Sequence, residues 1–147
     1  MAMTPSNPEK GRAFRDEAQP VLERALGVNL TAEFPISVGV PPKQHKFDLV
    51  SENRSWVLEC KNLAWRENGG VPEAKITSIT EAATFLSLLG FACRRAVVLN
   101  RATHAKRRET LAEYFARLHS HSLGTAGLVE VDLRSKQVKW LVEPKAV

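Results

Sequence analysis

Much of what this sequence says first comes from what it lacks. No apolar run approaches the roughly 20 residues that a helix needs to cross a bilayer. The opening stretch, Met1-Ala2-Met3-Thr4-Pro5-Ser6-Asn7-Pro8, has no apolar signal region. Both absences predict a cytoplasmic protein with no membrane partner. Cysteine is reduced to Cys60 and Cys93, each in or beside an apolar segment. They read as small buried hydrophobes rather than as a disulfide or a zinc pair. No internal repeat and no second domain can be read from the chain.

What is present fits one globular unit. A chain of 147 residues is long enough to bury a core. Hydrophobic content of 44% with 25% charged residues is that of an ordinary folded domain, not of a disordered one. The expected organisation is a flexible tail over residues 1–8, a domain over 9–142 and a short tail over 143–147. The net charge is +5 and the isoelectric point about 9.5, which favours a polyanionic partner.

The elements follow from periodicity and punctuation. Residues 9–26 predict a helix whose inner stripe is Phe14, Ala18, Val21, Leu22, Ala25 and Leu26, stopped by Gly27. Pro20 inside it predicts a kink or a later start. Residues 33–38 predict a strand ended by Gly39 and Pro41-Pro42. Residues 47–50 and 56–61 predict a hairpin about Asn53-Arg54. Residues 62–72, with Asn68-Gly69-Gly70, predict a loop. A helix over 73–89 would place Ile76, Ile79, Ala83 and Leu86 inward. A buried strand over 95–100 follows, then a helix over 107–119 with Leu111, Tyr114, Phe115 and Leu118 inward. A closing hairpin over 128–132 and 137–142 turns at Arg134-Ser135-Lys136.

The chemistry concentrates in the central hairpin. Trp56-Val57-Leu58-Glu59-Cys60-Lys61 is too apolar for an exposed strand and reads as buried on both faces. Glu59 and Lys61, two residues apart, leave it on the same side. With the turn at Asn53-Arg54, facing residue numbers sum to 107, so Asp48 lies opposite Glu59 with β-carbons about 5 Å apart. Two carboxylates at that distance repel unless a cation lies between them, and oxygen donors of this kind suit a hard divalent ion such as Mg²⁺. Glu-x-Lys occurs elsewhere too, at Glu73/Lys75 and Glu143/Lys145. The first opens a helix and the second flanks Pro144, so neither has a strand to hold it. The alternative for Asp48, Glu59 and Lys61 is an ion-pair ladder on a half-exposed hairpin.

Asp48, ten intervening residues and Glu59-x-Lys61, with a helix before and after, resemble the PD-(D/E)XK phosphodiesterase superfamily, the restriction-endonuclease-like nucleases. Phe47 stands where that motif has its proline. The resemblance implies an α/β fold: a single-domain core with a mixed β-sheet flanked by helices in the order αβββαβ, followed in this chain by a helix and the closing hairpin. It implies hydrolysis of phosphodiester bonds in nucleic acid, DNA favoured over RNA and endonuclease over exonuclease. Asp48, Glu59 and the backbone carbonyl of Cys60 would bind Mg²⁺ or Mn²⁺, and Lys61 would orient the attacking water or stabilise the oxyanion. Some branches add a carboxylate from the first helix. Asp16, Glu17 and Glu23 are available, with Glu17 preferred by position, against the plainer reading of an inert surface acid.

Basic residues supply candidate contacts to nucleic acid. Lys43, His45 and Lys46 immediately precede Asp48. Arg94, Arg95, Arg101, Lys106, Arg107 and Arg108 follow one another with no acid between them. Those at the expected helix start would oppose its dipole, a cost that phosphate binding would offset; a solvated surface is the alternative. A homodimer or larger complex would give paired cuts. Other function classes stay open: a catalytically silent nucleic-acid-binding or assembly subunit of the same fold, or an enzyme acting on another phosphate compound.

Overall fold

The computed structural model describes residues 7–145. Its elements, in chain order, are α1 (Asn7–Leu26), β1 (Leu30–Val38), β2 (Lys43–Ser51), β3 (Trp56–Lys61), α2 (Glu73–Ser87), β4 (Arg94–Asn100), α3 (Leu111–His119), β5 (Gly127–Asp132) and β6 (Gln137–Val142). A short 3-10 turn, Ser120–Leu123, joins α3 to the last hairpin. The strands form one mixed sheet in sequence order. β1, β2 and β3 are antiparallel neighbours, β3, β4 and β5 run parallel, and β6 returns antiparallel to β5.

The parallel centre dictates the layers. A strand that joins its parallel neighbour through a helix needs both faces covered, and β3 and β4 are buried on both. On one face, Phe14, Ala18, Val21 and Leu22 of α1 pack on Leu49, Leu58, Ala96 and Val98. On the other, Ile76, Ile79, Ala83 and Leu86 of α2, with Leu111 and Phe115 of α3, pack on Val57, Val97 and Leu99. Each fully buried Leu or Phe contributes about 1.5–3 kcal/mol by leaving water.

Several expectations are corrected. α1 runs unbroken from Asn7, so there is no later start. Pro20 is exposed, so the carbonyl of Asp16 that it leaves without an N–H partner faces water. Ala25 is exposed rather than inward. α3 begins at Leu111, not at residue 107, because Thr110 and Glu113 form a capping box: Thr110 Oγ1 accepts from the Glu113 N–H, and the Thr110 N–H donates to Glu113 Oε1. Arg107 and Arg108 therefore precede the helix, and the dipole argument for them lapses. Leu118 is 44% exposed rather than inward. Most of the expected tail segments, residues 1–6 and 146–147, lie outside the described residues.

Candidate active site

The site forms where the sheet comes apart. β2 and β3 pair at Leu49↔Leu58 and Val50↔Val57, the expected sum of 107, and the ladder then stops. Beyond it the Cys60 N–H finds no backbone acceptor on β2. It donates instead to Asp48 Oδ2, at 2.7 Å. Asp48 is thus a side-chain continuation of the ladder, not one half of a regular facing pair. The N–H and C=O of one strand residue point to the same edge, so the Cys60 carbonyl opens toward the same gap.

A change of face in β1 prepares this opening. Leu30 and Ala32 pack in the α1 layer, whereas Phe34, Ile36 and Val38 pack in the α2 layer. In a regular strand these residues would share one face. The switch falls at Glu33, whose φ of 54° lies in the left-handed region that costs a non-glycine residue about 1–2 kcal/mol. Pairing skips it: Ala32↔Leu49 and Phe34↔Phe47 flank the unpaired level that Glu33 shares with Asp48 in register. Glu33 reaches Arg15 Nη1 on α1 at 3.4 Å, and Arg15 also holds Asp16.

Glu59 is the buried centre, only 5% exposed. Burial, then hydrogen bonding and repulsion from Asp48, push its carboxyl up to about 10, against the pull of Lys61. His45 Nε2 lies 2.6 Å from Glu59 Oε1. Burial lowers the imidazole, with Lys61 adding to this and Asp48 opposing it. The carboxyl moved up and the imidazole moved down both disfavour the charged forms of this pair. Two aromatic rings seat the imidazole: Phe85 of α2 stacks on it at 3.9 Å and 12°, and Phe47 meets it edge-on at 4.6 Å. Burial also pushes the Cys60 thiol well up, with Asp48 and Glu59 adding to it, so this sulfur is a packing group and not a nucleophile.

These groups share a cleft of about 810 Å³ between the starts of α1 and α2. Asp48, Glu59, Cys60, Lys61, His45 and Lys46 of the expected set all line it. Lys10, Arg12 and Lys75 line it as well. None of those three forms a salt bridge among the described residues. Sequence reasoning missed these cations, and it missed Glu33. The turn at Gly39–Pro42 carried the signal, since facing numbers that sum to 81 bring Glu33 level with Asp48.

The other expected contacts disperse. Lys43 pairs with Val38 near the β1–β2 turn and does not line the cleft. Arg101 and Glu17 line a second, smaller cavity of about 340 Å³. Lys106, Arg107 and Arg108 line neither cavity. Arg107 is committed internally: its Nε donates to Gly69 O at 2.7 Å and its guanidinium covers the Trp65 ring at 4.4 Å. Arg95 is buried and donates to the carbonyls of Leu86, Leu89 and Phe91 at the end of α2. The loop after β3 is anchored by Asn100, whose side chain exchanges two 2.8 Å hydrogen bonds with the Leu63 backbone.

Among the described residues, no group of three or more His, Cys, Asp and Glu side chains is arranged to hold a metal ion. The available donors are two carboxylates and one strand carbonyl. Such an all-oxygen set suits Mg²⁺ or Mn²⁺, which keep much of their coordination as water. No helix among the described residues is long and apolar enough to cross a membrane. No protein-family model, curated protein or solved structure matches this chain.

Proposed function

We propose that this protein is a divalent-metal-dependent nuclease of the PD-(D/E)XK type, hydrolysing phosphodiester bonds of nucleic acid, DNA in preference to RNA. The observation that carries the reading is the split between β2 and β3, into which Asp48, the Cys60 carbonyl and Glu59 turn together beside Lys61. A buried acid without compensation costs several kcal/mol, so Glu59, beside the half-buried Asp48 in a cation-lined cleft, calls for a chemical reason. The order of elements through β4 supports the reading as well.

Asp48, Glu59 and the Cys60 carbonyl would hold Mg²⁺ or Mn²⁺, which when bound supplies a more acidic water and charge neutralisation at the phosphate. The remaining work belongs to the chain. The Cys60 N–H fixes the Asp48 carboxylate. His45, held by Phe85 and Phe47, fixes Glu59. Lys61 leaves β3 on the side of Glu59 and presents a compact ammonium to the phosphate oxygens, favouring the charge that develops there. Lys46, Lys75, Arg12 and Lys10 line the cleft with positive charge that forms no salt bridge among the described residues and suits a polyanion.

The deciding experiment is cleavage of plasmid and oligonucleotide DNA by the purified protein with Mg²⁺ or Mn²⁺. Cleavage is expected to stop with chelator and in Asp48→Asn. A folded wild-type protein that cuts neither substrate with either metal would instead favour the silent nucleic-acid-binding subunit.

A further inference from the structure

We infer that the second cavity is a nucleotide subsite, one step along the strand from the bond to be cut, so that the substrate is an oligonucleotide and not a small phosphate ester. This rests on the nuclease reading for its place in the reaction, and on its own features for the ligand. The cavity adjoins the cleft, because Lys10, Asn62 and Asn100 line both. Its volume of about 340 Å³ lies in the range of small-ligand sites.

Its lining has the two characters that a nucleotide needs. Ala13 and Leu133, backed by the buried Phe14 and Val131, give an apolar surface for a base or sugar. Arg101, just after β4, and Arg134 in the β5–β6 turn line the cavity, as does Lys10 of α1. Both arginines are exposed, and neither forms a salt bridge among the described residues. Guanidinium forks match phosphate oxygens in pairs. Two acids share the cavity, Glu17 and Asp132. Asp132 accepts from the Arg134 N–H through Oδ1 at 3.0 Å, and this hydrogen bond, with the nearby Arg101 charge, lowers its carboxyl, so Arg101 is partly compensated. The lining cations still outnumber the acids, three to two.

Asn100 ties this subsite to the chemistry. Its side chain is clamped on the Leu63 backbone, two residues beyond Lys61, and it borders both cavities. A strand lying across Asn62 and Asn100 is therefore positioned by the segment that carries Lys61.

The test compares two substrates in Mn²⁺: a short fluorescein-labelled DNA oligonucleotide, and bis(p-nitrophenyl) phosphate, a single diester that fills the cleft alone. The double variant Arg101→Ala/Arg134→Ala should lose at least about tenfold more kcat/KM on the oligonucleotide than on the diester. The salt dependence of oligonucleotide binding should become shallower by about 1.4 in log–log slope for two lost single-strand phosphate contacts. Lysine at both positions should restore that slope, which a merely structural role would not require. Equal losses on the two substrates, or an unchanged slope, would overturn the subsite. If the wild type hydrolyses neither substrate, fluorescence anisotropy decides alone. Affinity lost in the double variant then upholds the subsite while the nuclease reading falls, and affinity retained overturns the subsite too.

Discussion

The Cys60 N–H donates to Asp48 Oδ2 over 2.7 Å, so a carboxylate from β2 completes the hydrogen bonding of β3 at the point where the ladder ends. The buried amide gains a partner that is also a candidate metal ligand. Asp48→Asn keeps an oxygen for that amide but removes a negative charge from the site. Plasmid cleavage should disappear while circular dichroism and the thermal midpoint stay close to wild type. Wild-type activity in a folded Asp48→Asn protein would remove the site assignment.

Glu59 makes stability depend on pH, and the sign can be worked out. Its folded value of about 10 lies above the ordinary carboxylate range, so between the two the folded state holds a proton that the unfolded state has released. Stability is full at low pH and lost as pH rises through that window, by at most about 1.4 kcal/mol per pH unit. His45 is shifted downward and opposes this only on the acid side of its ordinary value. In chelator, urea unfolding midpoints should therefore fall steadily above about pH 6.5. Glu59→Gln should flatten that decline. A decline just as steep in the variant would mean that it originates at some other group.

Lys61 is the test of transition-state stabilisation. Lys61→Ala should reduce turnover about 10²-fold or more without weakening Mn²⁺ binding, because an ammonium is no ligand and its removal relieves repulsion. Lys61→Arg should rescue poorly, since the guanidinium is longer and planar. Calorimetric metal titration beside single-turnover kinetics separates the two effects. Full activity with reduced stability in Lys61→Ala would make Lys61 a structural partner of Glu59 instead.

The stack of Phe85 on His45 should be measurable as a coupling. Phe85 is 39% exposed, so its burial alone predicts a small effect on substitution. The rings lie 3.9 Å apart and nearly parallel, and a double-mutant cycle of His45→Ala with Phe85→Ala should give about 0.5–1.5 kcal/mol of interaction. Additive single effects in denaturant would mean that Phe85 does not seat the imidazole.

The basic residues of β4 and of the segment after it should divide into structural and binding arginines. Arg95→Ala strands three carbonyls at the end of α2 and should cost about 3 kcal/mol of stability. Arg107→Ala should cost about 1–2 kcal/mol through Gly69 and Trp65. Neither should change the salt slope of oligonucleotide binding. A shallower slope for either would place it on the strand after all.

Local rules reached a long way into this structure. The spacing of Ile76, Ile79, Ala83 and Leu86 located the inner face of α2, and all four are buried. The turn at Asn53-Arg54 set the β2–β3 register, because side-chain alternation leaves no slack in a strand buried on both faces. The start of α3 was legible too, in Thr110-x-x-Glu113, but the basic residues before it masked the capping box.

Which segments become helix and strand was legible along the chain, apart from the starts of β1, β2 and α3, and so was the gathering of Asp48, Glu59 and Lys61 at one hairpin. Those are matters of period, turn chemistry and neighbours along the chain. Only tertiary structure decided that β2 leaves β3 at Asp48, that Glu33 switches faces, and that His45 is pinned between Phe85 and Glu59. It also decided that Lys10, Arg12 and Lys75 ring the cleft while Arg95 and Arg107 turn inward. A charge carries no local record of its direction. Its place depends on where two helices far apart in sequence come to rest against one sheet, and on which buried carbonyls are left in need of a donor.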